Sequence, residues 1–183
     1  MTSECRDGVA GLRSARTAAF TPIVKRAPQI AVIGERHASR SLLRDAEDVG
    51  RELARRGAVL LCGGMGGVME AAARGCAETG GLVVGIVPTA EAQDANDYVS
   101  VPIVTGMGEG RNIIIVRSAQ AVIAVGGSYG TLSEIALALR LEIPVIGLHT
   151  WVFSRERPDE RDPVVRVTTA AAAVDAARKA IND

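Results

Sequence analysis

From Gln29 onward the chain alternates short apolar runs, closed by glycine or proline, with amphipathic stretches. Such runs are strands buried on both faces, and the stretches between them are crossover helices. The first run, 29–33, ends at Gly34. Residues 39–56 read as a helix, because Leu42, Ala46, Val49 and Leu53 share one face at helical spacing and Gly57 is a natural stop. A strand at 58–61, a helix at 68–78 ended by Gly80 and Gly81, and a strand at 82–87 closed by Pro88 follow. Residues 89–100 are polar and irregular, and 102–104 read as a short strand. Residues 111–118 read as a helix, although 113–116 alone would pass for a strand, because the clearer strand at 121–125 comes directly afterwards. Then come a helix at 132–141, a strand at 144–148, a charged loop at 149–162, a last strand at 164–167 and a closing helix at 169–181.

This alternation builds right-handed βαβ units. The expected fold class is α/β: a single three-layer, Rossmann-like domain over residues 29–183 with a mostly parallel sheet. Residues 1–28 are expected to be a flexible extension. They carry Arg13, Arg16, Lys25 and Arg26 with no acid after Asp7, and on composition a frayed tail outweighs a basic binding arm. Ligands of parallel sheets bind at the carboxyl ends of the strands. Two glycine-rich turns, each after a strand and before a helix, therefore become the candidate site.

The first turn holds Gly63, Gly64, Gly66 and Gly67. Glycine lets the backbone turn sharply and brings its amides close to a ligand. The helix behind it adds unpartnered N–H groups and a partial positive charge, which together favour an anion. The turn is not the dinucleotide fingerprint, which follows a first strand, nor a P-loop, which needs Gly-Lys-Ser/Thr. Gly34 is counted with it as a ligand-side glycine, and Glu35 and Arg36 follow within reach.

The second turn is Gly126, Gly127, Ser128, Tyr129, Gly130 and Thr131. The hydroxyls of Ser128 and Thr131 can donate to phosphate oxygens. Thr131 and Glu134 also have the spacing of a capping box, which alone would account for both residues. Capping and chemistry stay open on the residues alone. Arg111 follows the glycine-rich stretch 106–110, where a guanidinium can grip phosphate or carboxylate with two parallel bonds.

Composition narrows the function classes. The 183 residues carry 21 Lys plus Arg against 21 Asp plus Glu, and aromatics are 3%. A nucleic-acid partner is not expected, because backbone binding relies on surplus positive charge and base stacking on aromatic platforms. The longest apolar runs fall far short of the ~20 residues of a membrane span, so no membrane partner is expected. The three cysteines are odd in number and none has C-x-x-C spacing, so no disulfide framework or metal site is expected. With no apolar leader core at the start, a cytoplasmic location is expected. Cys62 reads as a small buried apolar residue, and His37 and His149 as surface loop histidines.

The stretch 126–134, Gly-Gly-Ser-Tyr-Gly-Thr-Leu-Ser-Glu, resembles the P-G-G-x-G-T-x-x-E signature of the Lonely Guy (LOG) proteins, once called lysine decarboxylases. Residues 63–70 resemble that family's first glycine-rich turn, and Arg111 falls where it carries an active-site arginine. The resemblance covers roughly residues 29–181. Its enzymes release the base from cytokinin nucleoside 5′-monophosphates. The resemblance implies Arg111 and Glu134 as a catalytic pair, a phosphate on the second turn, and a homodimer or homotetramer. Here the family proline is Gly126, the second glycine is Ser128, and M-H-x-R-K becomes Gly108-Glu109-Gly110-Arg111-Asn112, without the histidine and lysine. The Gly-Arg-Asn form looks more like the sister branch that includes molybdenum cofactor carrier proteins.

The leading expectation is thus a protein that binds a phosphorylated, nucleotide-like small molecule across both turns, with the molybdenum cofactor as possible cargo and no cofactor of its own. The alternatives are a LOG-type phosphoribohydrolase and a scaffold with empty turns. Loss of the lysine at Asn112 favours the carrier.

Overall fold

A computed structural model describes residues 26–154 and 162–182. The expected extension lies, up to residue 25, outside the described residues, as does the central part of the charged loop. Seven parallel strands form one sheet: β1 Gln29–Gly34, β2 Val59–Cys62, β3 Val83–Val87, β4 Val101–Val104, β5 Ala121–Val125, β6 Val145–Leu148 and β7 Val165–Val167. Their spatial order is β4-β3-β2-β1-β5-β6-β7. The chain runs outward from β1 to β4, then returns across the sheet to lay β5 on the other side of β1. Ile30 to Gly34 pair in register with Ala121 to Val125. That reversal opens a crevice between β1 and β5 at their carboxyl ends.

Among the described residues, five α-helices cover the sheet: α1 Arg40–Arg55, α2 Val68–Glu78, α3 Asn112–Ser118, α4 Tyr129–Arg140 and α5 Ala170–Asn182. Alternate strand residues point to opposite faces, so each central strand feeds two cores. Ile30, Val32, Leu60, Ile123 and Ile146 pack against α1, α2 and α5. Ala31, Ile33, Leu61, Val122 and Ala124 pack against Ile115 and Val116 of α3 and Ile135 and Ala138 of α4. The result is the expected three-layer α/β architecture, with every strand pair parallel.

Helix α1 starts where the sequence places it, with the Ser39 hydroxyl accepting from the Leu42 amide at 3.3 Å. Residues 113–116 are helical because Ile115 and Val116 are needed, fully buried, under the sheet. One boundary differs from expectation by more than a residue. Helix α4 begins at Tyr129, not at 132, with Ser128 as its N-cap. Thr131 is therefore inside the first turn and cannot be the cap of a capping box. Its hydroxyl is buried with no partner among the described residues.

Candidate functional site

A cleft of about 170 Å³ lies at the carboxyl ends of the central strands, on the face covered by α3 and α4. Its floor is the end of β1, Val32 to Gly34, with Gly63 after β2 and Pro88 after β3. One wall is the tight turn Gly108–Arg111 and Asn112. The other is the N-terminus of α4, through Ser128, Gly130, Thr131 and Glu134. Arg36 and Met69 close the rim.

Of the residues singled out from sequence, Gly34, Gly63, Arg111, Ser128, Gly130, Thr131 and Glu134 meet at this cleft. Gly64, Gly66, Gly67, Gly126, Gly127 and Tyr129 do not line it. The small size of Gly64, Gly67, Gly126 and Gly127 serves the surrounding framework instead. Gly67 adopts φ +72°, and a Cβ there would run into the carbonyls of Glu35 and Arg36, so the start of α2 can close on the loop after β1. The Val68 amide donates to the Glu35 carbonyl at 3.1 Å across that contact. A Cβ on Gly127 would come within 2.8 Å of the Thr131 Cβ. Gly127 thus leaves the space that Thr131 occupies. A Cβ on Gly63 would collide with the Arg111 guanidinium. Met69, in the first turn of α2, and Pro88, directly after β3, were not legible as site residues, since an apolar side chain carries no chemical signal of a site.

Arg111 is only 8% exposed and Glu134 only 7%. Arg111 donates from Nη2 to the Gly63 carbonyl at 3.3 Å and from Nη1 to Asn112 Oδ1. Its Nη1 stands 3.9 Å from Glu134 Oε1, an ion-pair distance too long for a direct hydrogen bond. Burial weakens the hold of Arg111 on its proton, although an arginine remains charged in this setting. Burial also pushes the Glu134 carboxyl up to about 7, against the pull of Arg111 and with a smaller push from Glu109. Near neutrality Glu134 is therefore present in both charge states.

Two buried polar atoms in these residues, Arg111 Nε and Thr131 Oγ1, have no hydrogen-bond partner among the described residues. An orphaned buried polar group costs about 1–3 kcal/mol, so such atoms in a cleft are ready donors for a ligand. The first-turn amides of α4 add to them, because helix N-termini leave their leading N–H groups without intrahelical acceptors. Trp151 buttresses this turn by donating from its indole nitrogen to the Ser128 carbonyl at 3.2 Å.

Other candidates separate from the site. Cys62 is fully buried, and burial raises its thiol to about 11, which leaves no thiolate at neutral pH. His37 and His149 are exposed, and His149 lies 3.8 Å from Asp45, away from the cleft. Among the described residues no cluster of His, Cys, Asp and Glu could hold a metal ion, and no helix is long and apolar enough to cross a membrane.

A doubly wound sheet with an arginine-bearing cleft at its switch point is the architecture of the LOG-like class. Residues 27–174 match the SLOG cluster4 family, and the chain belongs to that family. An uncharacterized protein of Archaeoglobus fulgidus is 50% identical over 139 residues, spanning 72% of this chain and 90% of that protein. The molybdenum cofactor binding protein of the phototrophic bacterium Rippkaea orientalis superposes with a TM-score of 0.77 at 35% identity, over 85% of this chain and 98% of that one. The Moco carrier protein of Chlamydomonas reinhardtii gives a TM-score of 0.75 at 33% identity, over 86% and 99%. These neighbours are of the branch that the Gly-Arg-Asn form resembles.

Proposed function

We propose that this chain is a carrier that holds a phosphorylated pterin of the molybdenum cofactor type in the cleft and does not turn it over. The phosphate sits at the first turn of α4, against the amides of Gly130 and Thr131, the Ser128 and Thr131 hydroxyls, and Arg111. The observation that carries this reading is the buried, partnerless Thr131 hydroxyl beside an arginine, at the open N-terminus of α4. Similarity to a molybdenum cofactor binding protein and a Moco carrier protein supports the identity of the cargo.

The same geometry disfavours glycosidic hydrolysis. Departure of a base leaves positive charge on the sugar, which an ionised carboxylate must stabilise. Glu134 is partly protonated near neutrality, which weakens that stabilisation. Asn112, standing where the LOG enzymes have a lysine, spends its amide oxygen on Arg111 and adds no charge. One observation favours the hydrolase: a carboxyl titrating near 7 is suited to proton transfer.

The test presents purified protein with molybdenum cofactor released from a molybdoenzyme, and separately with adenosine 5′-monophosphate. Cofactor that co-elutes in gel filtration, with no adenine released over hours, supports the carrier. Adenine release by wild-type protein but not by Glu134→Gln would replace the carrier with the hydrolase.

A further inference from the structure

Two of the chain's few aromatic side chains meet directly beside the cleft. Tyr129 and Trp151 lie with ring centroids 5.7 Å apart and planes inclined by 36°. Tyr129 is 80% exposed, and Val152 next to Trp151 is 76% exposed. Tyr129 is the first residue of α4, directly after the cleft-lining Ser128. Trp151 is fixed to the same point, since its indole N–H holds the Ser128 carbonyl. Trp151 is half-buried and packs one side against the core under α3 and α4, whereas the water-facing ring of Tyr129 packs against neither core. The pair is nonetheless held in place, by a hydrogen bond on one ring and a helix start on the other.

The cleft itself is too small for a whole ligand of the proposed kind. Pockets that enclose a drug-sized molecule run to about 300–1,000 Å³, and this one holds about 170 Å³. That volume suits a phosphate and its immediate attachment, so the remainder of the molecule must emerge over the rim. A ligand anchored at the first turn of α4 that emerges past Ser128 meets Tyr129 and Trp151.

We propose that Tyr129 and Trp151 form a platform for the flat heterocycle of a ligand whose anionic end enters the cleft. This rests on the anion-binding reading of the cleft and adds where ring recognition occurs. Planar heteroaromatic rings are favoured because every such ring can stack on an aromatic face, whereas a phosphosugar without a ring gains little there. The platform therefore selects ring-bearing phosphates over simple ones.

The experiment compares molybdopterin, which has both ring and phosphate, with inorganic phosphate, used as its competitor. The proteins are wild type, Tyr129→Ala and Tyr129→Phe. Tyr129 is exposed, so its replacement leaves the folded core intact. Tyr129→Ala is expected to weaken molybdopterin about tenfold, the usual scale of one aromatic stacking contact. Tyr129→Phe should bind as wild type does, and phosphate should compete equally well in all three. Unchanged molybdopterin affinity in Tyr129→Ala overturns the platform and leaves the cleft reading standing. Parallel loss of phosphate and molybdopterin also overturns it, because Tyr129 would then act through the helix start. A change in oligomer mass without a change in ring affinity assigns the patch to contact between copies and overturns it too. Wild-type protein that binds neither probe removes the platform together with the proposed function.

Discussion

Glu134 couples the charge state of the cleft to the stability of the fold. Its carboxyl keeps its proton up to about 7 in the folded chain, against an ordinary value of 4.5. The folded state therefore binds more protons than the unfolded state between these values, and stability falls as pH rises through that window. The full cost, present above the folded value, is on the order of 3 kcal/mol. Glu134→Gln removes the titration. Denaturant unfolding of the two proteins should coincide near pH 4, diverge as pH rises from 4.5 to about 7 and stay apart above it, with the glutamine variant the more stable. Equal stability at pH 8 would show that Glu134 ionises in the fold without that cost. Thr131 supplies a second test at this scale. Its hydroxyl caps nothing, so Thr131→Val should change stability by less than about 0.5 kcal/mol, where loss of a true cap costs about 1 kcal/mol. The same variant should bind a phosphorylated ligand about tenfold more weakly, since it loses a hydrogen bond to a charged group. Paired unfolding and binding titrations separate capping from ligation.

Among the elements, the strands and most helices were legible because each central strand is apolar on both faces and each helix shows one apolar stripe. The start of α4 was not. The threonine and glutamate that look like a capping box face the cleft, and Ser128, three residues earlier, begins the helix without a side-chain cap bond. The spacing there places Gly130, Thr131 and Glu134 along one wall of the cleft. The crossing of α1 over α2 was equally hidden. Gly50 and Gly75 lie inside those helices, where glycine ordinarily weakens a helix. A Cβ on Gly50 would overlap the Ala72 carbonyl, and one on Gly75 the Glu47 carbonyl. The two backbones thus touch, a relation between distant residues that local periodicity does not carry. Gly50→Ala should cost about 1–3 kcal/mol through overpacking. Gly57 after α1 has φ +67° and open space around it, so Gly57→Ala should cost only the backbone strain, about 1 kcal/mol. Urea unfolding midpoints rank the two, and a smaller effect at Gly50 would contradict the close crossing.

Across the whole molecule, the reversal of strand order at β1 and β5 turns a connectivity pattern into a cleft. It brings residues as far apart in sequence as Gly34, Gly63, Arg111 and Thr131 around one small space. The sequence motifs marked both glycine-rich turns. Only the packed fold shows that the second supplies a wall of the cleft while the first contributes Gly63 and otherwise serves close packing. Ligand binding should stabilise the whole domain. At a hundredfold excess over Kd the gain is about 2.7 kcal/mol, or roughly 5–10 °C in Tm for a chain of this size. Thermal scans with molybdenum cofactor should show that rise in wild type and lose it in Arg111→Ala. The most direct measurement is native mass spectrometry of wild type and Arg111→Ala, each incubated with saturating molybdenum cofactor. Wild-type protein should carry the added mass of one phosphorylated pterin per subunit, and Arg111→Ala should be bare. Bare mass in both proteins, or equal loading of both, would contradict the claim that the cleft around Arg111 and the start of α4 holds an anionic guest.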